Sequence, residues 1–187
     1  MFRMVTDLML HKQLTFESGK ISIFGRPSFM FPSDYFVGLQ KKLESKGLEQ
    51  WIYQAGKDAG LTWFREMNKA YNLKGKDVIK WGSNIVTLAG WGEAIIEKRD
   101  DPNKLILFEL RNSVVSELYG KSEFPVDHLF RGLLCGAMSF IYKTDLEAVE
   151  FKCKSIGDLT CKILVKPVDD FDKSNEFVKK QILTLNE

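Results

Sequence analysis

Residues 150–161 read EFKCKSIGDLTC and place one carboxylate and two thiols in the pattern E-x-x-C-x7-C. Apolar alternation over residues 146–153 predicts one β-strand, and residues 159–165 predict the next. Residues 155–158 have the composition of a turn, so we expect a hairpin with both sulfurs at the same end. Thiolates with a carboxylate suit Zn²⁺, whose structural sites take four ligands. The stretch therefore predicts three ligands of a metal site, Glu150, Cys153 and Cys161, with a fourth from elsewhere.

Two other interpretations of Cys153 and Cys161 stay open at this point. The two residues can be small buried hydrophobic side chains, or they can form a disulfide in an oxidising compartment. The chain has three cysteines, an odd number. Charged and polar residues interrupt any apolar run at the N-terminus before it reaches the length of a signal peptide, namely Arg3, Asp7, His11 and Lys12. We therefore expect reduced thiols and a cytoplasmic protein.

Composition restricts the class of protein. The 187 residues are 44% hydrophobic and 28% charged, which predicts a single domain over residues 1–187 that buries its own core. The formal charge is +2, and the basic residues are scattered among acids, so a nucleic-acid-binding surface is not indicated. No stretch approaches the ~20 apolar residues that cross a bilayer, so no membrane span is expected.

The order of predicted elements favours an α+β fold. Short N-terminal strands are expected between Leu14 and Phe31, and two longer strands over residues 94–98 and 104–110. Apolar residues at helical spacing predict helices that begin near Ser33, Leu48, Asp77, Ser113, Asp127 and Phe171. Because strands and helices do not alternate regularly, we expect an antiparallel sheet of about four strands with helices packed on one face.

Two pairs of glycines mark helix faces that can pack closely. Gly56 and Gly60 lie one turn apart on one predicted helix, and Gly132 and Gly136 lie one turn apart on another. The pattern predicts close helix contact, either within the chain or between two copies of it.

Several short motifs, in their order along the chain, resemble the 4-vinyl-reductase-like domain. That domain is related to the TRAPP vesicle-transport subunits and to the haem nitric-oxide-binding domain. The motifs are Gly90-Trp91-Gly92, Asn112-Ser113, Asp127-x4-Gly132-x3-Gly136, Glu150-x2-Cys153 and Gly157-Asp158-x2-Cys161. The amino-terminal half, from residue 17 to residue 60, is similar to the sensor domain of phenol-responsive bacterial transcription activators. The resemblance covers residues 14–166 and implies the fold of those families.

The resemblance also implies a structural zinc ion. In the sensor relatives, zinc is held by a cysteine at the start of a glycine-rich helix, by a glutamate and by two further cysteines. The last three positions fall on Glu150, Cys153 and Cys161, and the first falls on Asp127. Because aspartate replaces cysteine there, either Asp127 or the adjacent His128 is expected to complete the site.

The residues that hold phenol in the sensor relatives are not matched. A histidine and a tryptophan do so in that family, and their positions fall near residues 86–88 and near Leu110. We therefore expect a more apolar ligand than phenol, hydrophobic or aromatic, whose acidic group, if it has one, would reach an arginine. The residues expected to line its cavity, each of which can equally be a core or surface residue, are Trp81, Phe108, Leu110, Arg131, Leu134 and Ala137.

Taken together, these observations predict a zinc-containing small-molecule-binding domain, a sensor or carrier that forms a homodimer and signals through a protein partner. A reductase-related enzyme is one alternative, although the sequence has neither a flavin nor a nicotinamide motif. A dimeric adaptor scaffold like the TRAPP subunits is the other. An activity of its own is the less expected outcome.

Overall fold

The computed structural model describes residues 6, 9–10, 13–71 and 76–182. A small antiparallel sheet opens this part of the chain, with strands in the order β1 (Leu14–Glu17), β2 (Lys20–Ile23) and β3 (Arg26–Ser28). The short N-terminal strands predicted from the sequence are confirmed.

Three helices come next, and their starts lie within one residue of the predicted ones. They are α1 (Ser33–Glu44), α2 (Glu49–Tyr71) and α3 (Lys76–Leu88). In the second half of the described chain, strands and helices come in pairs before a last helix, in the order β4 (Glu93–Asp100), β5 (Leu105–Arg111), α4 (Val114–Tyr119), α5 (His128–Tyr142), β6 (Glu147–Lys152), β7 (Cys161–Lys166) and α6 (Glu176–Gln181).

The main sheet has the strand order β4-β5-β7-β6, and all neighbouring strands are antiparallel. Its central strands bury alternate side chains against α5, which is the pattern of a sheet with one face on the core. On β5 these are Ile106, Phe108 and Leu110, and on β7 they are Cys161, Ile163 and Val165. The predicted α+β class, with a four-stranded antiparallel sheet and helices against it, is confirmed.

Helix α5 packs directly on α2 through the predicted glycines. A Cβ atom at Gly136 would lie 1.9 Å from the backbone oxygen of Lys57, and one at Gly132 would lie 2.1 Å from that of Tyr53. Gly56 and Gly60 make the reciprocal approach to the backbone of α5. The predicted close packing is confirmed, and because the contact lies inside the chain it gives no argument for a dimer.

The alternating charged and apolar residues of the closing segment predict a surface helix over residues 171–185, and the structure differs from this prediction. Only Glu176–Gln181 is helical, and residues 183–185 lie outside the described residues. Phe171, Val178 and Ile182 are buried against Val149 on the second face of the sheet. The charged residues of this segment point outwards, while its apolar residues cover an otherwise bare strand.

None of the helices in the described part of the chain combines the length and the hydropathy needed to cross a membrane.

Candidate functional site

Four potential metal ligands converge beneath the β6–β7 hairpin. Asp127 is the residue before α5, Glu150 lies on β6, Cys153 follows β6, and Cys161 begins β7. One donor atom from each residue lies within 4.8 Å of all the others, and all four residues are buried. The arrangement can hold a metal ion with two sulfur and two oxygen ligands.

The loop between β6 and β7 fixes the position of Cys153. The Cys153 amide donates a hydrogen bond of 3.0 Å to the Asp158 carboxylate, and the Cys153 carbonyl accepts from the amides of Ile156 and Asp158, each at 3.1 Å. Gly157 adopts a φ of 103°, a conformation that favours glycine. This tight turn holds the Cys153 thiol opposite Cys161.

The two carboxylates are each half satisfied by the protein. Asp127 accepts a hydrogen bond of 2.7 Å from the Ser113 hydroxyl through Oδ1, and Glu150 accepts one of 3.0 Å from the Asp127 amide through Oε2. The remaining oxygens, Asp127 Oδ2 and Glu150 Oε1, are buried without a hydrogen-bond partner among the described residues. Buried acceptors left without a partner are costly, and a bound cation would satisfy both.

The two thiols have the separation that a tetrahedral zinc site requires. The sulfur atoms of Cys153 and Cys161 lie 3.7 Å apart, and both cysteines are free. A zinc–sulfur distance of about 2.3 Å in a tetrahedron gives a sulfur–sulfur edge of about 3.8 Å. The observed separation fits that edge.

Without a metal ion, the electrostatics of the site favour protons on Glu150 and Cys161 and a thiolate at Cys153. Burial, followed by the charges of Asp127 and Cys153, raises the pKa of Glu150 well above its ordinary value. A hydrogen bond from the Cys161 thiol lowers the pKa of Cys153 to about 6, and the same bond raises the pKa of Cys161. A divalent cation would displace the protons of Glu150 and Cys161, so metal affinity should fall in acid.

Two residues near the site in sequence lie away from it in the structure. The His128 Nε2 atom is 3.1 Å from Glu44 Oε1, and the imidazole is not among the four clustered donors. Cys135 lies on α5, eight residues after Asp127, and its thiol donates a hydrogen bond of 2.9 Å to the Leu146 carbonyl. Of the two proposed fourth ligands, Asp127 is therefore the one that the structure groups with Glu150 and the two cysteines.

A cavity of about 200 Å³, here called the apolar cavity, lies between α2, α3, α5 and the sheet. Phe108, Leu134 and Ala137 line it, as the sequence predicts. Its other main lining residues were not predicted, and they are Trp63, Phe64, Ile79, Val86, Trp91 and Phe130. Of these residues, Trp91 could have been predicted, because it is the central residue of the Gly90-Trp91-Gly92 motif.

Three predicted lining residues lie elsewhere. Trp81 packs edge-on against Phe24 with ring centroids 5.4 Å apart. Leu110 shares a sheet face with Phe108 but lies two residues closer to the metal centre, where it pairs with Cys161 and is buried in the core. Arg131 lines a second cavity, of about 260 Å³, here called the polar cavity. The structure therefore does not bring these three side chains to the apolar cavity.

The sequence matches no protein-family profile and no curated protein sequence. Solved structures do share its fold. The phenol-responsive sensory domain of the transcription activator PoxR, solved with phenol, superposes with a TM-score of 0.73 at 18% identity, over 90% of this chain and 92% of that one.

Two further neighbours belong to the other families that the motifs resemble. A vinyl-4-reductase family protein from Methanocaldococcus jannaschii gives a TM-score of 0.51 at 22% identity, over 74% of this chain and 83% of that one. A trafficking protein particle complex subunit 3 from Naegleria fowleri, covalently bound to palmitic acid, gives a TM-score of 0.55 at 13% identity, over 72% of this chain and 93% of that one. The resemblance stated from the sequence is confirmed at the level of the fold.

Proposed function

We propose that this protein is a small-molecule-binding domain that takes a hydrophobic or aromatic ligand into the apolar cavity, carries a structural zinc ion and signals through a protein partner. The observation that carries the proposal is the cavity itself. Among its described lining residues no side chain is charged, and polar groups come only from Trp63, Ser83 and Trp91. Ligand sites of this kind are mostly apolar with few polar groups.

The size of the apolar cavity indicates a compact ligand. Its volume is about 200 Å³, and an apolar cavity of about 150 Å³ in another protein binds benzene. A compound with a single ring and short substituents therefore fits. The structures of two neighbours, one solved with phenol and one with covalently bound palmitic acid, support the proposal that this fold can bind a largely apolar ligand. Because Arg131 lies outside the cavity, a ligand there needs no acidic group.

A structural role suits the metal centre. Four protein ligands, Asp127, Glu150, Cys153 and Cys161, fill the tetrahedral positions of zinc and leave none open for water or substrate. The ion would tie the start of α5 to the β6–β7 hairpin. Two neighbouring thiols without a disulfide bond suit a reducing compartment, and we therefore propose a cytoplasmic location.

An exposed apolar patch supports homodimer formation. Phe29, Met30, Phe31, Tyr35 and Leu39 are all exposed, and the first two present 79% and 78% of their surface to solvent. The rings of Phe29 and Phe31 stack with centroids 5.2 Å apart. Clustered large apolar side chains on a surface mark an interaction site, and a second copy of the chain is the partner that we propose.

Native mass spectrometry of the purified protein tests the proposal as a whole. We expect one zinc ion per chain, a dimer, and an apolar small molecule that dissociates on gentle activation. If the protein carries zinc but binds no apolar compound, the metal centre is supported and the ligand-binding function is refuted.

A further inference from the structure

The polar cavity differs from the apolar cavity in its chemistry. It lies where the end of α1, the start of α2, the first turn of α5 and the end of α6 meet. His128 lines it, together with charged side chains of both signs. The charged residues are Glu44, Glu49, Glu123, Arg131 and Lys180. Such a lining can bind a charged compound.

Arg131 supplies a buried donor to this cavity. The side chain is 1% exposed, and its Nη1 donates hydrogen bonds to the backbone oxygens of Ala148 at 2.7 Å and Gln181 at 3.3 Å. Its guanidinium carbon lies 3.8 Å from the centre of the Tyr53 ring. The Nε atom is buried and has no hydrogen-bond partner among the described residues. A buried guanidinium with an unused donor calls for a carboxylate or a similar anion.

Glu49 supplies the opposite charge. Its Oε1 atom lies 3.2 Å from the Lys180 ammonium, and its Oε2 atom is buried without a hydrogen-bond partner among the described residues. A ligand with a donor group, above all an ammonium, would satisfy Oε2. Among the charged side chains that the structure describes in this cavity, Arg131 thus has an unsatisfied donor atom and Glu49 an unsatisfied acceptor atom of opposite charge.

The start of helix α5 adds to the field on the side of the anion. This helix has 15 residues, begins at His128, which lines the cavity, and carries Arg131 in its first turn. Amide groups at helix starts carry partial positive charge and favour a carboxylate.

From these groups we infer that the polar cavity binds a free α-amino acid, with the ligand carboxylate at Arg131 Nε and the ligand ammonium at Glu49 Oε2. A simple anion would leave Glu49 unsatisfied and would face the other carboxylates, and a simple cation would leave Arg131 unsatisfied. A zwitterion pairs with both groups. The cavity volume of about 260 Å³ leaves room for a side chain. This inference depends neither on zinc nor on occupation of the apolar cavity.

Isothermal titration calorimetry with each standard L-amino acid tests the inference on the full chain. Each amino acid is compared with the matched amine that lacks the carboxylate and the matched acid that lacks the amine. We expect at least one amino acid to bind with a dissociation constant below about 1 mM. Both of its analogues should bind about tenfold more weakly or worse, because each loses one charge-assisted hydrogen bond.

Matched variants locate the binding. Glu49→Gln should weaken binding by about tenfold or more, whereas Asp58→Asn, which alters an exposed carboxylate on the same helix, should leave it unchanged. Arg131→Lys keeps the charge but removes the Nε donor, and should weaken binding while the protein still folds. The inference is overturned if no amino acid binds at about 10 mM, if Glu49→Gln binds as tightly as the wild type, or if toluene displaces the amino acid.

Discussion

The sulfur atoms of Cys153 and Cys161 lie 3.7 Å apart across the mouth of a buried hairpin. This separation is too long for a disulfide bond of about 2.05 Å and fits the edge of a zinc tetrahedron. Asp127 and Glu150 complete the cluster, and each has a buried oxygen without a hydrogen-bond partner among the described residues. A structural metal there would join the core helix to the strand pair, so the stability of the fold should depend on it.

The first prediction concerns the metal. Cys161→Ser should lower the zinc content from one ion per chain to near zero and should lower the melting temperature by roughly 6–12 °C, because about 3 kcal/mol or more of metal-linked folding energy is lost. Elemental analysis and calorimetry measure the two effects. Cys135→Ser is the control, since Cys135 is an equally buried thiol outside the cluster. Equal zinc content in the two variants would refute the site.

The second prediction concerns the contact between α2 and α5. Gly136→Ala should lower the free energy of unfolding by more than about 3 kcal/mol, because its Cβ would lie 1.9 Å from the Lys57 carbonyl oxygen, a backbone atom that cannot move aside. Gly38→Ala is the matched control. Gly38 lies on α1, and a Cβ atom there would meet no described atom within 4 Å beyond its chain neighbours and the backbone of its own helix. Gly38→Ala should therefore stabilise the protein by about 1 kcal/mol. Urea unfolding of both variants decides the matter, and similar stabilities would contradict the packing.

The third prediction is a pH dependence at Glu44. Burial raises the pKa of Glu44, but hydrogen bonds from His128, Tyr119 and Gln40 outweigh it and hold the pKa below its ordinary value of 4.5. A carboxylate with a lowered pKa in the folded state stabilises the protein above its unfolded pKa, and this contribution is lost as the pH falls through the folded pKa.

Glu44→Gln should therefore cost about 1–3 kcal/mol near neutral pH, and the difference from wild type should shrink steadily below pH ~4.5. Denaturant unfolding across the acid range measures it. Glu66→Gln, at an exposed position on α2, should show almost no difference at any pH. If Glu44→Gln lowers the free energy of unfolding by the same amount at every pH, the role assigned to the carboxylate is contradicted.

The fourth prediction concerns assembly through the exposed patch. Light scattering should give the wild-type protein twice the mass of the 21.5 kDa chain at micromolar concentrations. Met30→Glu should dissociate the dimer, because it puts a charge at a residue that is 78% exposed in the single chain. Leu118→Glu, at an exposed position on α4, should not. A wild-type protein that is monomeric throughout this range would remove the basis for the dimer.

The sequence was sufficient for features that depend on local patterns. The hairpin that carries Cys153 and Cys161 follows from strand alternation and turn residues. Close packing at the glycine faces of α2 and α5 follows from glycines one turn apart, whereas the pairing of these two helices with each other is known only from the structure. The choice between Asp127 and His128 did not follow, because the two are adjacent. Their directions depend on tertiary partners, the Ser113 hydroxyl for Asp127 and the Glu44 carboxylate for His128.

The sequence also did not predict that Arg131 and Leu134 line two separate cavities. Arg131 and Leu134 are three residues apart and share a helix face by periodicity. Yet Arg131 reaches the backbone oxygen of Gln181 in the C-terminal segment, whereas Leu134 lines the apolar cavity. The alternation of charged and apolar residues in that segment predicts an exposed helix, and only the bare second face of the sheet explains why Phe171 and Val178 are buried.

Binding of toluene, measured as a thermal shift in the wild type, Ser83→Phe and Ser83→Ala, is the decisive test of ligand binding in the apolar cavity. Ser83 is half-buried and lines the apolar cavity, so phenylalanine there should fill the cavity while alanine leaves it open. We predict that toluene at 100 times its dissociation constant stabilises the wild type and Ser83→Ala by about 2.7 kcal/mol. Phenol should bind more weakly, and Ser83→Phe should fold without responding to toluene. A response to toluene that is equal in Ser83→Phe, or absent from the wild type at saturation, would contradict the account.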